Sequence, residues 1–336
     1  MEYEIEIRPS GRRFVAHDSE SILKAGMQAG INLSYRCGNG SCGGCTGYLL
    51  EGEIKELHHV DYVWSEAEKA KGAFLLCAVA PLSNLVIEAH EAHGVEDMPR
   101  QEIDTRVKKL NLLQEDLQIL YLRTPRSQAL QFLAGQNVQL VTETGLSKEL
   151  PLASCPCDGM HLEFHLRRNR HDLFDDYVFD ELKKNSLVMI EGPCGEFVLD
   201  EQSERTLIMI AYDTGFAAIR SLVEHALALE LPQEIYIFRL ASKPSDRYLE
   251  NICHAWEDVM DNVHYTYIDD CIEHTAAETA EHRVCDLLMS SLEMNDDISL
   301  AECDFYLSGN QATMDLLTSA LNDRGIPAPQ IKTSMI

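Results

Sequence analysis

The first part of the chain alternates apolar and polar residues, which is the pattern of strands that bury one face. The stretches "YEIEIRP" and "RRFVAHD" follow one another and predict a β-hairpin. The stretch "SESILKAGMQAGI" predicts a helix that is capped by Ser19 or Ser21. Beyond it, "GYLLEGEIKE" predicts a pair of strands and "NLVIEAHE" predicts a last strand. This order of elements predicts a β-grasp domain over roughly residues 1–92.

The middle of the chain is separated from this domain by a polar stretch, "HGVEDMPRQE" at residues 93–102, which predicts a linker. Short alternating runs with turn residues between them follow over residues 103–200 and predict a small antiparallel β-barrel. These runs are "RVKKLNLL", "LQILYLRT", "QNVQLVTE", "HLEFHLRR" and "SLVMIEGP". One helix, "DDYVFDELKK", is expected before the last strand.

From residue 204 onward the pattern changes to strands that alternate with helices. The run "RTLIMIAY" is typical of a strand that is buried on both faces, and "DTGFAAIRSLVEHALALE" after it predicts a helix. The alternation continues to the helix "QATMDLLTSALNDRG" near the end of the chain. It predicts a doubly wound parallel sheet over residues 204–336. The expected fold class is therefore multidomain, α+β and α/β.

Composition adds constraints on partners and location. The chain has 336 residues and no run of about 18 apolar residues, so we expect no membrane span. Its first residues are acidic and strand-like, unlike a signal peptide, and we expect a cytoplasmic protein. The net charge of -27 argues against nucleic acid and anionic membranes as partners.

The negative charge is unevenly distributed. Residues 1–95 carry 13 acidic and 8 basic side chains, whereas the remainder carries 42 acidic and 20 basic ones. Such a surplus is commonly a matter of solubility. It also fits docking to a protein partner that presents a basic face.

Three cysteines in a glycine-rich loop, Cys37, Cys42 and Cys45, have the spacing of a plant-type [2Fe–2S] loop. The glycines between them allow the tight backbone that turns N–H groups toward the sulfurs of a negatively charged cluster. Cys77, about thirty residues downstream in "AFLLCAVAP", is the predicted fourth ligand, delivered by a strand-like run. A zinc site is the alternative for these thiols, and the spacing favours the cluster.

The chain has eleven cysteines and no export signal, so a disulfide framework is not expected. We expect the other seven to be small core or surface residues. The only close spacing among them is Cys155-x-Cys157. The seven are Cys155, Cys157, Cys194, Cys253, Cys271, Cys285 and Cys303.

The whole chain resembles the ferredoxin–NADP reductase superfamily with an N-terminal plant-type [2Fe–2S] ferredoxin domain. Its relatives would be the reductase components of bacterial oxygenases and the CDP-6-deoxy-glucoseen reductases of deoxyhexose pathways. The resemblance implies a flavin-type barrel at residues 103–200 and an NAD(P)-binding-type domain at residues 204–336. It also implies that NAD(P)H reduces FAD, which passes single electrons to the cluster and an outside acceptor. It rests on "FLAGQNVQL" (132–140), "IEGPCGEF" (190–197), "DTGFAAIRSLVEHAL" (213–227) and "YLSGNQATMDLLTSAL" (306–321).

The family's Arg-x-Tyr-Ser flavin motif falls on Lys148, Leu150 and Pro151, just before Ser154. Lys148 keeps the charge without the guanidinium fork, Leu150 lacks a stacking ring, and Pro151 has no N–H. The family's Gly-Gly-x-x-Ser phosphate turn falls on "HDLFDD", where Asp175 replaces the serine. We expect Asp175 to cap the helix that follows, where its charge would oppose a pyrophosphate.

The nicotinamide side of the resemblance is altered in the same way. The family's Gly-Gly-Thr-Gly turn falls on Tyr212-Asp213-Thr214-Gly215, so that a bulky ring and a negative charge stand in it. The family's Cys-Gly-Pro falls on Ser308-Gly309-Asn310, which implies that Ser308 lies near the hydride path. The chain ends in "TSMI", without the aromatic residue that often covers the flavin.

Two functions remain open from the sequence. In the first, the chain oxidises NAD(P)H through FAD and passes electrons through [2Fe–2S] to an oxygenase or similar acceptor. Lys148, Ser154, Thr214 and Gly215 are then what remains of the flavin and nicotinamide contacts. In the second, the chain is a pseudo-reductase that has lost flavin or nicotinamide binding and acts as a [2Fe–2S] carrier or docking subunit.

Overall fold

A computed structural model describes residues 1–336 except 36–37, 93, 126–127, 242–246, 270–279 and 296. The described residues form three main sheets, one after another along the chain, and one small two-stranded sheet. We call the three parts built on the main sheets the N-terminal, middle and C-terminal domains.

The N-terminal domain has a mixed five-stranded sheet that packs against one main helix. Its predicted hairpin is formed by β1 and β2, which pair antiparallel, and its helix α1 is capped by the Ser21 side chain. The strand β7 joins the two halves of the sheet, because it pairs parallel to β1 and antiparallel to β3. The elements are β1 (Glu2–Arg8), β2 (Arg13–His17), α1 (Ile22–Gln28), β3 (Thr46–Glu51), β4 (Ile54–Glu56), α2 (Glu66–Ala70), β5 (Ala73–Leu75), β6 (Val79–Pro81) and β7 (Leu85–Glu88).

Two expectations for this domain need correction. The strands of "GYLLEGEIKE" do not pair with each other, since β3 pairs with β5 and β7 whereas β4 pairs with β6. Gly52, at φ +99°, lies between them in a turn that leads the chain away from the main sheet. Likewise, the run "AFLLCAVAP" forms two short strands, so Cys77 lies in the turn between them rather than on a strand.

The middle domain is a six-stranded antiparallel sheet in the order β11-β10-β13-β8-β9-β12. The segment that follows the edge strand β11 meets the other edge strand, β12, where the Ala153 N–H donates to the Glu163 carbonyl (2.9 Å), so the sheet curls into a half-barrel. Strand β8 begins at Gln101, inside the predicted linker, and β11 was absent from the predicted runs. The elements are β8 (Gln101–Gln114), β9 (Leu117–Arg123), β10 (Asn137–Thr142), β11 (Ser147–Pro151), β12 (His161–Arg167), α3 (Leu173–Asp180) and β13 (Leu187–Cys194).

The C-terminal domain is a five-stranded sheet in the order β16-β15-β14-β17-β18, with every pair parallel. This confirms the doubly wound prediction. The sequence patterns did not single out α6 or β18, the second of which forms an edge of the sheet. The elements are β14 (Thr206–Tyr212), α4 (Phe216–Ala228), β15 (Ile235–Ala241), α5 (Glu250–Val259), β16 (Val263–Asp269), α6 (Ala280–Glu293), β17 (Cys303–Gly309), α7 (Gln311–Asp323) and β18 (Ile331–Met335).

Strand β14 contributes to a separate hydrophobic core on each face of this sheet. Ile208 and Ile210 pack with side chains of α6 and α7, whereas Leu207 and Met209 pack with side chains of α4 and α5. This explains why "RTLIMIAY" is apolar without alternation, since both faces of the strand are covered by helices.

The three main sheets fall within the predicted domain ranges, except that β8 starts two residues before its range. The limits of the domains stay a prediction. In the described parts of the chain, no helix combines the length and the apolar composition that crossing a membrane requires. The cytoplasmic location also stays a prediction.

The N-terminal domain is joined to the rest of the molecule by an ion-pair cluster around Arg12. The Arg12 guanidinium pairs with Glu201, which follows the middle domain, and its Nε lies 3.9 Å from Glu91 Oε2. Glu201 also contacts the buried His225 of α4, at 3.0 Å from Nε2. Burial opposes the charge of Glu201, but His225 and Arg12 outweigh it and hold the pKa of Glu201 below its ordinary value.

Replacing Arg12 with Ala should lower the free energy of unfolding by about 2 kcal/mol, because a largely buried carboxylate loses a charged hydrogen-bond donor. Urea denaturation followed by circular dichroism measures this change. The neighbouring Arg13→Ala is the matched control, since Arg13 pairs with Glu4 and Glu6 on an exposed sheet edge and should matter less. Equal losses in the two variants would contradict a special role for Arg12.

Candidate cofactor sites

The cysteine loop lies between α1 and β3, and its backbone requires glycine. Gly38, Gly40 and Gly43 have φ values of +67°, +86° and +76°, which side chains rarely allow. At Gly43 space is also lacking, because a Cβ there would lie 2.4 Å from the Tyr62 ring. Three glycines of the predicted motif, Gly38, Gly40 and Gly43, are therefore needed for the conformation of this loop.

The structure brings two of the predicted ligands to one end of the N-terminal sheet. In the pairing of β3 with β5, Thr46 lies opposite Leu75, and the Leu76 N–H donates to the Cys45 carbonyl (2.9 Å). Cys45 and Cys77 are therefore neighbours in space, and both are buried, whereas Cys42 is exposed. Cys37 lies outside the described residues.

The loop also offers an N–H donor to sulfur, as a [2Fe–2S] cluster requires. The Gly44 N–H donates to Cys42 Sγ at 3.3 Å. Within the described residues, which leave out Cys37, no three Cys, His, Asp or Glu side chains are grouped closely enough to hold a metal ion. The fit to a cluster therefore rests on the thiol donors and the conformation of the loop. Completing it requires Cys37.

A second candidate site is the cleft where the carboxyl ends of β14 and β17 face the middle domain. Strand β14 is followed in the chain by β15 on one side, whereas β17 lies on its other side. This is the switch point at which ligands bind in doubly wound sheets. The cleft, called here the interdomain cleft, has a volume of about 390 Å³. It is lined by Lys148, Leu150, Pro151, His165, Leu166, Arg167, Arg168, Asn169, Tyr212, Asp213, Thr214, Asn310 and Ile336.

Four predicted site residues line this cleft, namely Lys148, Leu150, Pro151 and Thr214. The other five do not line it: Ser154, Asp175, Gly215, Ser308 and Gly309. Ser308, expected near the hydride path, is fully buried, and its hydroxyl has no hydrogen-bond partner among the residues the structure describes. It lies behind Gly215, whose missing side chain lets the turn pack on the Ser308 carbonyl.

Lys148 is held between two carboxylates at the start of α3. Its ammonium lies 2.7 Å from both oxygens of Asp175 and 3.0 Å from Asp172. Asp175 was expected to cap α3, but the capping residue is Asp172, which accepts from the Phe174 N–H (2.9 Å). Asp175 lies instead in the first turn, fully buried, because Lys148 and the Asn169 N–H (3.0 Å) satisfy its charge. Burial opposes the charge of Asp172, but Lys148 and the Phe174 N–H hold its pKa below the ordinary value.

The second cation of the cleft, Arg167, is also paired. Its Nε lies 2.8 and 2.7 Å from the oxygens of Asp213, and its Nη1 lies 3.0 Å from Asp116. Asp213 has φ +51°, a conformation that Asp tolerates better than most residues. The negative charge expected at Asp213 is therefore neutralised by Arg167, and this pair joins the middle domain to the C-terminal domain.

A buried polar network lies at the cleft beside this pair. His165 Nε2 is 3.1 Å from Glu163, and its Nδ1 is 3.0 Å from the Tyr248 hydroxyl. Burial lowers the pKa of His165, which makes the neutral ring the stable form. The neutral ring donates to Glu163 and accepts from Tyr248. Burial also opposes charge on Glu163, but His165 and Arg220 hold its pKa below the ordinary value.

Sequence reasoning did not identify His165, Arg167 or Arg168 as cleft residues. The signal was present in "HLEFHLRRNR", where a strand pattern runs directly into three arginines. A basic cluster at the end of a strand, opposite a second domain, is a common place for an anion or a counter-ion.

The residues of the cleft fit part of FAD directly. Leu150, Pro151 and Ile336 would give the uncharged flavin ring an apolar surface. At the charged end, Lys148 could bind a pyrophosphate, but only if the anion displaces Asp172 or Asp175 from it. The site thus fits FAD, at an electrostatic cost that this chain's own aspartates impose.

Replacing Gly215 with Ala should destabilise the C-terminal domain by about 3 kcal/mol, because overpacking against backbone cannot be relieved by a rotamer change. The new Cβ would lie 2.1 Å from the Ser308 carbonyl oxygen. Gly145→Ala is the control, since Gly145 has φ +81° and no neighbouring atom within 4 Å; it should cost about 1 kcal/mol. Chemical denaturation of both variants tests this contact. Equal effects would show that the backbone approach is unimportant.

Comparison with protein families gives two matches in the order that the sequence predicts. Residues 5–82 match the "2Fe-2S iron-sulfur cluster binding domain", and residues 104–199 match the "Oxidoreductase FAD-binding domain". Together they confirm the expectation of an iron–sulfur domain followed by a flavin domain.

Whole-chain relatives support the same assignment. A solved structure titled "Ferredoxin reductase in carbazole 1,9a-dioxygenase" has a TM-score of 0.60 at 20% identity, covering 100% of this chain and 98% of that one, and confirms the fold class. The "CDP-6-deoxy-L-threo-D-glycero-4-hexulose-3-dehydrase reductase" of Yersinia pestis is 27% identical, over 96% of this chain and 94% of its own. Protein RfbI of Salmonella typhimurium is 31% identical, over 94% of this chain and 91% of its own. The chain therefore belongs to the ferredoxin–NADP reductase superfamily, in the group whose members carry an N-terminal [2Fe–2S] domain.

Proposed function

We propose that this protein takes electrons from NAD(P)H through FAD to a [2Fe–2S] cluster and delivers them to an acceptor protein. The observation that carries the proposal is that one chain combines an iron–sulfur N-terminal domain, a flavin-type middle domain and a parallel-sheet C-terminal domain. Its relatives match this combination over nearly their full length. A carrier without flavin would not need the interdomain cleft at the switch point of the sheet.

In this proposal the cluster is held by Cys37, Cys42, Cys45 and Cys77. The Gly44 N–H that donates to Cys42 would stabilise the extra negative charge of a reduced cluster, as hydrogen bonds to cluster sulfurs do in general. The exposure of Cys42 puts one side of the loop at the protein surface, where an acceptor could approach.

FAD, when bound, supplies the conversion of a two-electron hydride into single electrons. The protein's part is binding and orientation. Lys148 would provide positive charge for the pyrophosphate, Leu150 and Pro151 would give the ring an apolar surface, and Thr214 and Asn310 would offer polar groups on the nicotinamide side. The Arg167–Asp213 pair holds the two walls of the cleft together.

The acceptor in this proposal is an oxygenase or a similar enzyme. Among the relatives, one is a dehydrase reductase and a structural neighbour is titled as part of a dioxygenase system. Because this chain carries a net charge of -27, a basic docking face on the acceptor would be complementary.

The decisive experiment is cofactor analysis of anaerobically purified protein, followed by titration with NADH and with NADPH. We expect about two irons and about one FAD per chain, and bleaching of the visible cluster absorbance by one of the two nucleotides. Two irons without FAD, even after incubation with excess FAD, would favour the pseudo-reductase instead.

Replacing Cys77 with Ser should remove most of the iron and acid-labile sulfide, because the cluster loses a thiolate ligand. Iron content and the visible spectrum measure the loss. Cys303→Ser is the control, since Cys303 is a buried thiol in the parallel sheet. An intact spectrum in Cys77→Ser would mean that the fourth ligand is another residue.

Replacing Asp175 with Asn should tighten FAD binding about threefold to tenfold, because a negative charge beside Lys148 is removed at the start of α3. Quenching of flavin fluorescence on titration into flavin-free protein measures the dissociation constant. Asp176→Asn is the control, since Asp176 pairs with Arg168 and does not contact Lys148. Unchanged or weaker binding in Asp175→Asn would show that Asp175 does not compete with the pyrophosphate.

A further inference from the structure

Two cysteines that the proposed electron path does not use lie where all three domains meet. Cys155 and Cys157 flank Pro156 in the short 3₁₀ turn Pro156–Asp158. This turn packs against α1 of the N-terminal domain and against α4 of the C-terminal domain. It is fixed to α4 by the Ser221 hydroxyl, which donates to the Ser154 carbonyl (2.8 Å).

A hydrogen bond joins the two cysteines directly. The Cys157 N–H donates to Cys155 Sγ at 3.3 Å. Both thiols are free. Because they lie on a single turn, joining them requires rotation of two side chains rather than movement of a sheet or a domain.

The two thiols differ in access. Cys155 is buried, whereas Cys157 is half-buried and lines a cavity between the N-terminal and middle domains, together with Tyr35, Met98 and Gln131. The neighbouring Cys155 thiol lowers the pKa of Cys157, whereas the neighbouring Cys157 thiol and burial raise the pKa of Cys155. An accessible, more acidic thiol beside a shielded one is the arrangement of a reactive cysteine and its resolving partner.

We propose that Cys155 and Cys157 form a reversible dithiol–disulfide site that reacts with hydroperoxides. The Cys157 thiolate attacks one oxygen of hydrogen peroxide and breaks the O–O bond, which gives a sulfenic acid and hydroxide. The Cys155 sulfur then attacks the sulfenic sulfur, forms the S–S bond and releases water, while the hydroxide takes up a proton. Two thiols thus lose two electrons and the peroxide gains them, and a small-molecule dithiol reverses the change.

Closing the disulfide would alter the contact between domains. Cys155 Sγ would no longer accept from the Cys157 N–H in the same geometry, and Cys157 would turn away from the cavity wall beside Tyr35. Because this turn contacts both α1 and α4, oxidation would act where the N-terminal domain contacts the rest of the protein.

The test uses the full-length, cluster-loaded protein. It is treated with a small excess of hydrogen peroxide, quenched with catalase, denatured, alkylated and digested with trypsin for mass spectrometry. Residues 149–167 form one tryptic peptide with Cys155 and Cys157 as its only cysteines, and residues 185–205 form another with Cys194 alone. The second peptide reports on an ordinary half-buried thiol of the same domain.

We expect peroxide to give the 149–167 peptide without alkyl groups and lighter by two hydrogens, and dithiothreitol to restore double alkylation. The 185–205 peptide should stay alkylated throughout. Cys155→Ser and Cys157→Ser should each abolish the lighter peptide, whereas Cys194→Ser should leave it unchanged.

The proposal is overturned if the 149–167 peptide stays doubly alkylated, or if it gains only sulfinic or sulfonic oxygens. A disulfide to any other cysteine overturns it as well. The wild-type peptide decides the matter even if a serine variant fails to fold. Because the readout is a mass, it does not depend on FAD binding or on NAD(P)H oxidation.

Discussion

The architecture of the C-terminal half depends on how closely the turn after β14 approaches the end of β17. At Gly215 the two backbones come so near that a single carbon atom would collide with the Ser308 carbonyl. That contact holds the start of α4 against the end of β17, and Thr214, next to Gly215, lines the interdomain cleft. The contact also explains why Ser308 is sealed behind the turn, while Thr214 and Asn310 reach the cleft wall.

The cations that line the interdomain cleft are paired with carboxylates, in a chain that is rich in acidic residues. Lys148 contacts Asp172 and Asp175, and Arg167 contacts Asp116 and Asp213, so each of these cations has two acidic partners. A bound phosphate must compete with carboxylates that are already in place. The same ion pairs stabilise the protein without bound FAD. Lys148 and Arg167 are partly desolvated, and without these carboxylates they would have no counter-charge.

Much of the fold could be predicted from the sequence, for reasons that particular residues make clear. The glycine-rich cysteine loop fixes its own backbone, and the unbroken apolar run of β14 can be satisfied only between two layers of helices. The separation of β3 from β4 was not predictable, because strand pairing is decided by partners far along the chain. The same limit explains Asp175. Its position three residues after Asp172 suits either a cap or an inward contact, and only the position of Lys148 on β11 favours the second.

The link around Arg12 bears on how such proteins diversify. A ferredoxin domain at the N-terminal side of a reductase could be exchanged between genes as a ready-made module. Here the exchange is constrained, because Arg12 pairs with Glu201, which also contacts His225, and because a side chain at Gly30 would clash with Leu229. A foreign ferredoxin domain would need an arginine and a glycine at equivalent places. We therefore expect the N-terminal domain and the rest of this protein to have been inherited together. Chimeras should succeed only when the residues on both sides of this contact are transplanted.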